Sequence, residues 1–217
     1  MLGGQPILFP NEALDKKEDL LDVCGYLNNW ADAVIVRHRD IQVLERMANY
    51  LNVPVINAMT DCNHPCEVLS DLYALSKIRE NFVRDNYLFC GRSGNIGLAW
   101  KEASKVMNFS LSQCCGRGYE MQDIPVYYDI REAVIGKDII CTDSLSAGEL
   151  NDFRHCQVTK EVMDMANKNA ILNPCPPFYR GEEVSDDAIG SEYFVGYEFK
   201  KNLLVVQQAI VIWCMMQ

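Results

Sequence analysis

The chain is short of histidine, of basic charge and of long apolar runs. Its 217 residues hold three histidines, and 20 basic residues stand against 30 acidic ones, for a net charge of −10. Each shortage excludes something. The histidines are scattered, and the nearest cysteine pairs, Cys62-x-x-x-Cys66 and Cys114-Cys115, lack partner pairs at zinc-finger spacing, so no metal site is expected. No apolar run is long enough to cross a bilayer. The first residues, MLGGQPILFPNEALDKK, have neither a basic leading region nor a long apolar one, so they do not read as a secretory signal. A body this acidic excludes non-specific binding of nucleic acid but leaves small anions open, since those respond to local charge. No repeat or low-complexity segment is visible.

What is present favours a folded, two-part protein. Hydrophobic residues make up 49% of the chain, ample for a core, and the length allows one large or two small domains. Ten cysteines without a signal point to a reducing compartment, hence a cytoplasmic protein, with most thiols acting as small core fillers.

Apolar runs and helical periods alternate along the chain. Strands are predicted over residues 1–10, 33–36 and 53–56, with helices within 11–29, over 41–52 and from His64 to about residue 78. The charged stretch 79–86 marks a boundary. Beyond it, strands are predicted at 87–90, 111–115, 138–142, 170–172 and 194–195. Helices are predicted at 96–107, 130–134, 160–167 and 200–215. Such alternation implies mostly parallel sheets covered by helices, an α/β fold.

The richest segment is residues 53–67, VPVINAMTDCNHPCE. A β-branched strand leads into a polar loop over 57–63, and His64-Pro65 opens a helix. Free N–H groups and the dipole at a helix start favour negative charge, and a His there can donate to a carbonyl or phosphoryl oxygen. Arg37 directly follows a strand, at the edge where open α/β sheets place ligands, and its guanidinium suits phosphate or carboxylate. The turn Gly91-Arg-Ser-Gly94-Asn95-Ile-Gly97 is a weak dinucleotide signal with the wrong glycine spacing. Asp143 ends a strand, as a ligand or as a cap for the next helix. Cys175 lies between two prolines and by itself reads as a buried thiol in a stiff turn.

Five segments in order give a resemblance over nearly the whole chain. Residues 31–40 (ADAVIVRHRD), 53–67, 90–97 (CGRSGNIG), 142–148 (TDSLSAG) and 173–184 (NPCPPFYRGEEV) resemble motifs of the aspartate/ornithine carbamoyltransferase family, nearest the ornithine type. The resemblance implies two doubly wound parallel-sheet domains joined by a helix, with the final helix packing back on the first domain. The bounds it suggests are residues 1–80 for a partial carbamoyl-phosphate domain, 81–199 for an amino-acid domain, and 200–217 for the returning helix.

It further implies carbamoyl transfer from carbamoyl phosphate to an amino acid's amine, with no cofactor. In that reaction Arg37 and His64 support the carbamoyl oxygen, while Asn95, Asp143, Ser146 and Cys175 hold the amino acid. Glu67 replaces the family's Gln, turning an amide into an acceptor that repels phosphate unless a cation stands between. The family's Ser-x-Arg-Thr-Arg phosphate loop is absent from these residues, and residues 2–8, LGGQPILF, already match the strand after it. The first domain is therefore expected to be truncated, or continued upstream of Met1. The family's cation near the start of the last helix is also unmatched. The resemblance suggests a homo-oligomer, a trimer, or a partner chain. A non-catalytic amino-acid-binding or partner protein and one half of a split enzyme are the alternative readings.

Overall fold

The structure, a computed structural model, describes residues 2–217. Two parallel sheets organise the chain. In the first unit, α1 (Leu20–Leu27) and α2 (Ile41–Tyr50) pack on a two-stranded sheet of β1 (Val34–Arg37) and β2 (Val55–Met59). Asp19 and Asp40 cap these helices by accepting from the N–H groups of Leu21 and Gln42. The core here is small: Leu20, Cys24, Val36, Leu44, Met47 and Leu51. The register slips between Val36 and Arg37, which re-aims Arg37 at the strand end.

Helix α3 (Pro65–Ile78) leads to the second unit, with Pro65 in its first turn as its missing N–H permits. The second sheet comprises β3 (Asn86–Cys90), β4 (Ser110–Cys114), β5 (Val126–Tyr127), β6 (Ile139–Thr142) and β7 (Ile171–Pro174), in the order β5-β4-β3-β6-β7. Chain order reverses between β3 and β6, and such a switch point opens a crevice at the carboxyl ends of the strands. Helix α4 (Asn95–Met107) and α3 cover one face, where Val68, Leu72 and Leu75 of α3 pack with Tyr87, Phe89 and Trp100. The short helices α5 (Ile130–Ala133), α6 (Lys160–Met163) and α7 (Asp186–Ile189) contribute to the other face. The last helix, α8 (Leu203–Met215), follows a 3₁₀ segment, Tyr197–Asn202, and lies against α3 at the first unit.

Several expectations need correction. Residues 2–10 form no strand, and Ile7, Leu8 and Phe9 are exposed; an apolar run makes a strand only where a neighbour can take its N–H and C=O groups. Met1 lies outside the described residues. Strand β2 runs on to Met59, into the stretch read as loop, because it pairs with Arg37. The helix read over 160–167 stops at Met163, and 194–195 is a lone bridge from Leu172 to Phe194. The final helix starts at Leu203 rather than at residue 200. Three short elements were missed, β5, α7 and a 3₁₀ turn over Phe82–Arg84, all too short to show a period.

Eight of the ten free cysteines are buried. No helix among the described residues is long and apolar enough to cross a membrane.

Gly97 is where α4 meets the end of β3. A Cβ there would stand 2.7 Å from Phe89 Cε1 and 3.0 Å from the Arg92 carbonyl oxygen. Gly97→Ala is expected to cost about 1–3 kcal/mol in urea unfolding. Gly148→Ala, with no atom within 4 Å of the new Cβ, should shift the midpoint little. Equal midpoints for the two variants would contradict this close packing.

Candidate functional site

The strands of the second sheet end in register. Cys90 pairs with Thr142, and Thr142 with Pro174, so Gly91, Asp143 and Cys175 follow one another across the crevice. A Cβ on Gly91 would lie 3.5 Å from Asp143 Cβ. Asn95 begins α4 just beyond, its Oδ1 accepting from the Ile96 N–H. Three of the residues read from sequence thus share one strand-end edge.

Their chemistry differs. Burial pushes the Asp143 carboxyl above its ordinary range, against the pull of the Ser144 N–H and of Arg92. Its Oδ1 accepts from the Ser144 N–H at 3.0 Å and caps no helix. Burial also pushes the Cys175 thiol well up, so it stays protonated, with Sγ 3.8 Å from the Pro176 oxygen. Ser146 is exposed, and its N–H donates to Glu149 Oε2 at 2.8 Å. Arg92 meets the other oxygen of Glu149 at 3.3 Å. Burial opposes ionisation of Glu149, but the Ser146 N–H and Arg92 outweigh it and hold the carboxyl below its usual range. Sequence reading passed over Glu149; its place three residues after Ser146, as in a capping box, was the available signal.

On the first unit, Arg37 ends β1 and is exposed. His64 precedes α3, makes no capping bond, and its buried Nδ1 has no hydrogen-bond partner. Burial lowers its pKa, Glu67 opposes, and the nearby charges of Arg37 and Lys200 lower it further. His64 is therefore a neutral imidazole at neutral pH, with one N–H to give.

Lys200 was also missed in the sequence reading. Its Nζ donates to Glu67 Oε1 at 2.7 Å and Asp71 Oδ1 at 2.6 Å, and Asn173 Nδ2 donates to Asp71 Oδ2 at 2.8 Å. Glu67 and Asp71 lie four apart on one face of α3. Burial alone would lower the Lys200 pKa; Asp71 and Glu67 reverse this and hold the ammonium firmly protonated. Burial raises the Asp71 pKa, since one ammonium cannot fully satisfy two carboxylates. This is the cation that Glu67 requires. The Lys200 charge pulls the pKa of both His64 and Cys175 downward, with burial in the first case and against it in the second.

Among the described residues no cluster of three His, Cys, Asp or Glu could hold a metal ion. A cavity of about 760 Å³ lies elsewhere, between β2, α3 and α8, and is lined by apolar side chains such as Leu69, Val206 and Trp213.

Lys200→Met should therefore cost about 3–5 kcal/mol near neutral pH, by leaving two buried carboxylates facing each other. Their folded pKa values would rise, and a raised carboxyl pKa gives stability at low pH that is lost as pH climbs through it. The deficit against the unmodified protein should therefore shrink as pH falls toward the ordinary carboxylate range. Urea melts at the two pH values check this, and a pH-independent deficit would contradict it.

Comparison with known proteins adds the following. Residues 1–77 match the carbamoyl-P binding domain of aspartate/ornithine carbamoyltransferases, and residues 86–214 match their Asp/Orn binding domain. The chain is 29% identical to the ornithine carbamoyltransferase of Desulfotalea psychrophila, over 97% of this chain and 77% of that protein. It is 30% identical to that of Rhodopseudomonas palustris, over 98% and 75%. Among solved structures it resembles ornithine carbamoyltransferase from Pyrococcus furiosus, at TM-score 0.88 and 26% identity, covering 93% of this chain and 72% of that one. The enzyme from Burkholderia thailandensis gives 0.85 and 27%, over 93% and 71%.

Proposed function

Since the chain belongs to the aspartate/ornithine carbamoyltransferase family, we propose that its crevice is a carbamoyl-transfer site of the ornithine type, with Arg37 and His64 on the carbamoyl side and Asn95, Asp143, Ser146 and Cys175 on the amino-acid side. The observation that carries this reading is His64, a neutral imidazole with an unpartnered buried nitrogen, at a helix start and within reach of the Arg37 charge. A neutral donor beside a guanidinium suits a carbamoyl oxygen that gains negative charge as the bond order to it falls. Across the crevice, Asp143 suits an amine, and the protonated Cys175 thiol adds a soft, uncharged contact. In the reaction the neutral amine attacks the carbamoyl carbon, a tetrahedral oxyanion forms, and phosphate leaves with the electrons of the broken C–O bond, the amine giving up a proton. The working division is residues 1–80, 81–199 and 200–217, and ten free thiols suit a reducing, cytoplasmic setting.

The phosphate side is the weak one. These 217 residues contain no Ser-x-Arg-Thr-Arg, and Glu67 holds Lys200 at 2.7 Å, so neither is free for a phosphate. The same observation favours a second reading, a protein that binds an amino acid without turnover, or half of an enzyme completed by another chain.

Two measurements follow. Charged hydrogen bonds to phosphate contribute about 1.5–3 kcal/mol each, so a chain of these residues alone should form no measurable citrulline from carbamoyl phosphate and ornithine. Citrulline formation that His64→Ala abolishes would overturn this. Ornithine binding should nevertheless register by calorimetry, and Asp143→Asn should weaken it by about 2 kcal/mol or more. Binding should fall off with acidification at a pH above 3.8, the ordinary Asp value, because burial raises the Asp143 pKa. Asp143→Asn should remove that step. Pairing of the amine elsewhere would leave the pH profile untouched.

The apolar groove and α8, where Leu204, Val205, Trp213 and Met215 are exposed, support self-association or a partner. Light scattering at micromolar concentration should give more than a monomer's mass.

A further inference from the structure

Arg92 is a cation at the amino-acid side of the crevice with most of its donors uncommitted. It stands in the turn between β3 and α4, next to Gly91, whose Cβ position lies 3.5 Å from Asp143 Cβ. Its stem packs against Gly94, the residue at which α4 opens with no side chain capping it; a Cβ there would stand 3.3 Å from Arg92 Nε. The side chain is 46% exposed, so a solute can reach it. Among the described residues its one hydrogen-bond partner is Glu149 Oε1, at 3.3 Å. That is longer than the roughly 2.7–2.9 Å usual for charged N–H···O bonds, and it uses one N–H of a guanidinium that carries five.

We propose that Arg92 receives the α-carboxylate of the acceptor amino acid and so selects an amino acid over a bare diamine. The assignment rests on the amino-acid crevice proposed above. Asp143 and Glu149 both border this edge, and the charge of Arg92 acts on both. Two carboxyls draw an amine and repel a carboxylate, and an amino acid brings both groups. Its carboxylate is tolerated beside them only where a cation takes it. Arg117, in the loop after β4, lies over the Tyr128 ring at 4.2 Å, and Lys200 is held by Glu67 and Asp71. Arg92 has the free donors, and its planar fork suits a carboxylate bidentately. Glu149 is then a competitor for the guanidinium. It keeps the Ser146 N–H at 2.8 Å when Arg92 turns to the substrate.

Calorimetric titration of the full chain with ornithine and with 1,4-diaminobutane, which is ornithine with hydrogen in place of its carboxylate, tests this. Ornithine should bind about tenfold more tightly. Arg92→Met should lower ornithine affinity about tenfold and leave the diamine no weaker. Arg92→Lys keeps the charge without the fork and should fall between. Glu149→Gln removes the competing charge while its amide oxygen still accepts from the Ser146 N–H. It should tighten ornithine several-fold and weaken the diamine, opposite changes that a merely structural role of the pair does not produce. Circular dichroism checks that Arg92→Met folds; if it does not, Arg92→Lys and Glu149→Gln decide. Equal losses for both ligands in Arg92→Met, or weaker ornithine binding in Glu149→Gln, would overturn the assignment and leave the amino-acid crevice standing. If neither ligand binds the unmodified chain, the crevice reading falls and this assignment with it.

Discussion

One ammonium between two carboxylates holds this molecule in register. Glu67 and Asp71 sit on α3, which is also the wall between the two sheets, and Lys200 arrives from the far end of the chain to meet both. Two carboxylates four residues apart on a buried helical face repel each other and lose water, so the helix cannot bury that face unless the cation comes with it. Asn173 closes the arrangement from β7 by donating to Asp71. Helix, returning segment and second sheet must therefore reach their places together. The surrounding contacts agree, for Phe199, next to Lys200, joins the same apolar cluster as Val68 and Leu72 of α3.

That dependence explains what could be read in advance and what could not. Strands such as β3 and β6 are continuous apolar runs because both faces of their sheet are covered, and such runs are visible in any sequence. Arg37, His64, Asp143 and Cys175 were legible for a related reason: each follows a strand or opens a helix, and parallel sheets place ligands there. Glu67 showed the need for a cation, but its partner lies 133 residues away, at a spacing no local period encodes. The run in residues 2–10 failed in the opposite sense. Its composition suits a strand, yet pairing is a property of two segments, and among the described residues β1 pairs with β2 alone.

The electrostatics of the crevice follow from uneven burial rather than from its formal charges. His64 and Asp143 are both driven toward their neutral forms by loss of water. Glu149, buried too, is driven the other way because an N–H and a guanidinium are aimed at it. So the first unit offers a neutral donor near the Arg37 charge, and the second unit offers a carboxyl whose burial favours its neutral form. A chain with net charge −10 can present a local anion site under these conditions, since Debye screening confines the distant acidic surface.

The two sides are not equally supported. A two-stranded sheet with six buried apolar residues is a marginal structure by itself. Helix α3 does not rely on it, because its inner face is built into the second unit's core through Leu72 and Leu75, and Lys200 pins its outer turn. His64 and Glu67, at the start of that helix, inherit its rigidity. Arg37 does not: it ends β1, exposed, after a register slip, on a strand whose other edge has no partner among the described residues. The geometry between Arg37 and His64 is thus the least constrained part of the crevice. Anything that paired with the free edge of β1 would stiffen that strand end, and with it the placing of Arg37 relative to His64.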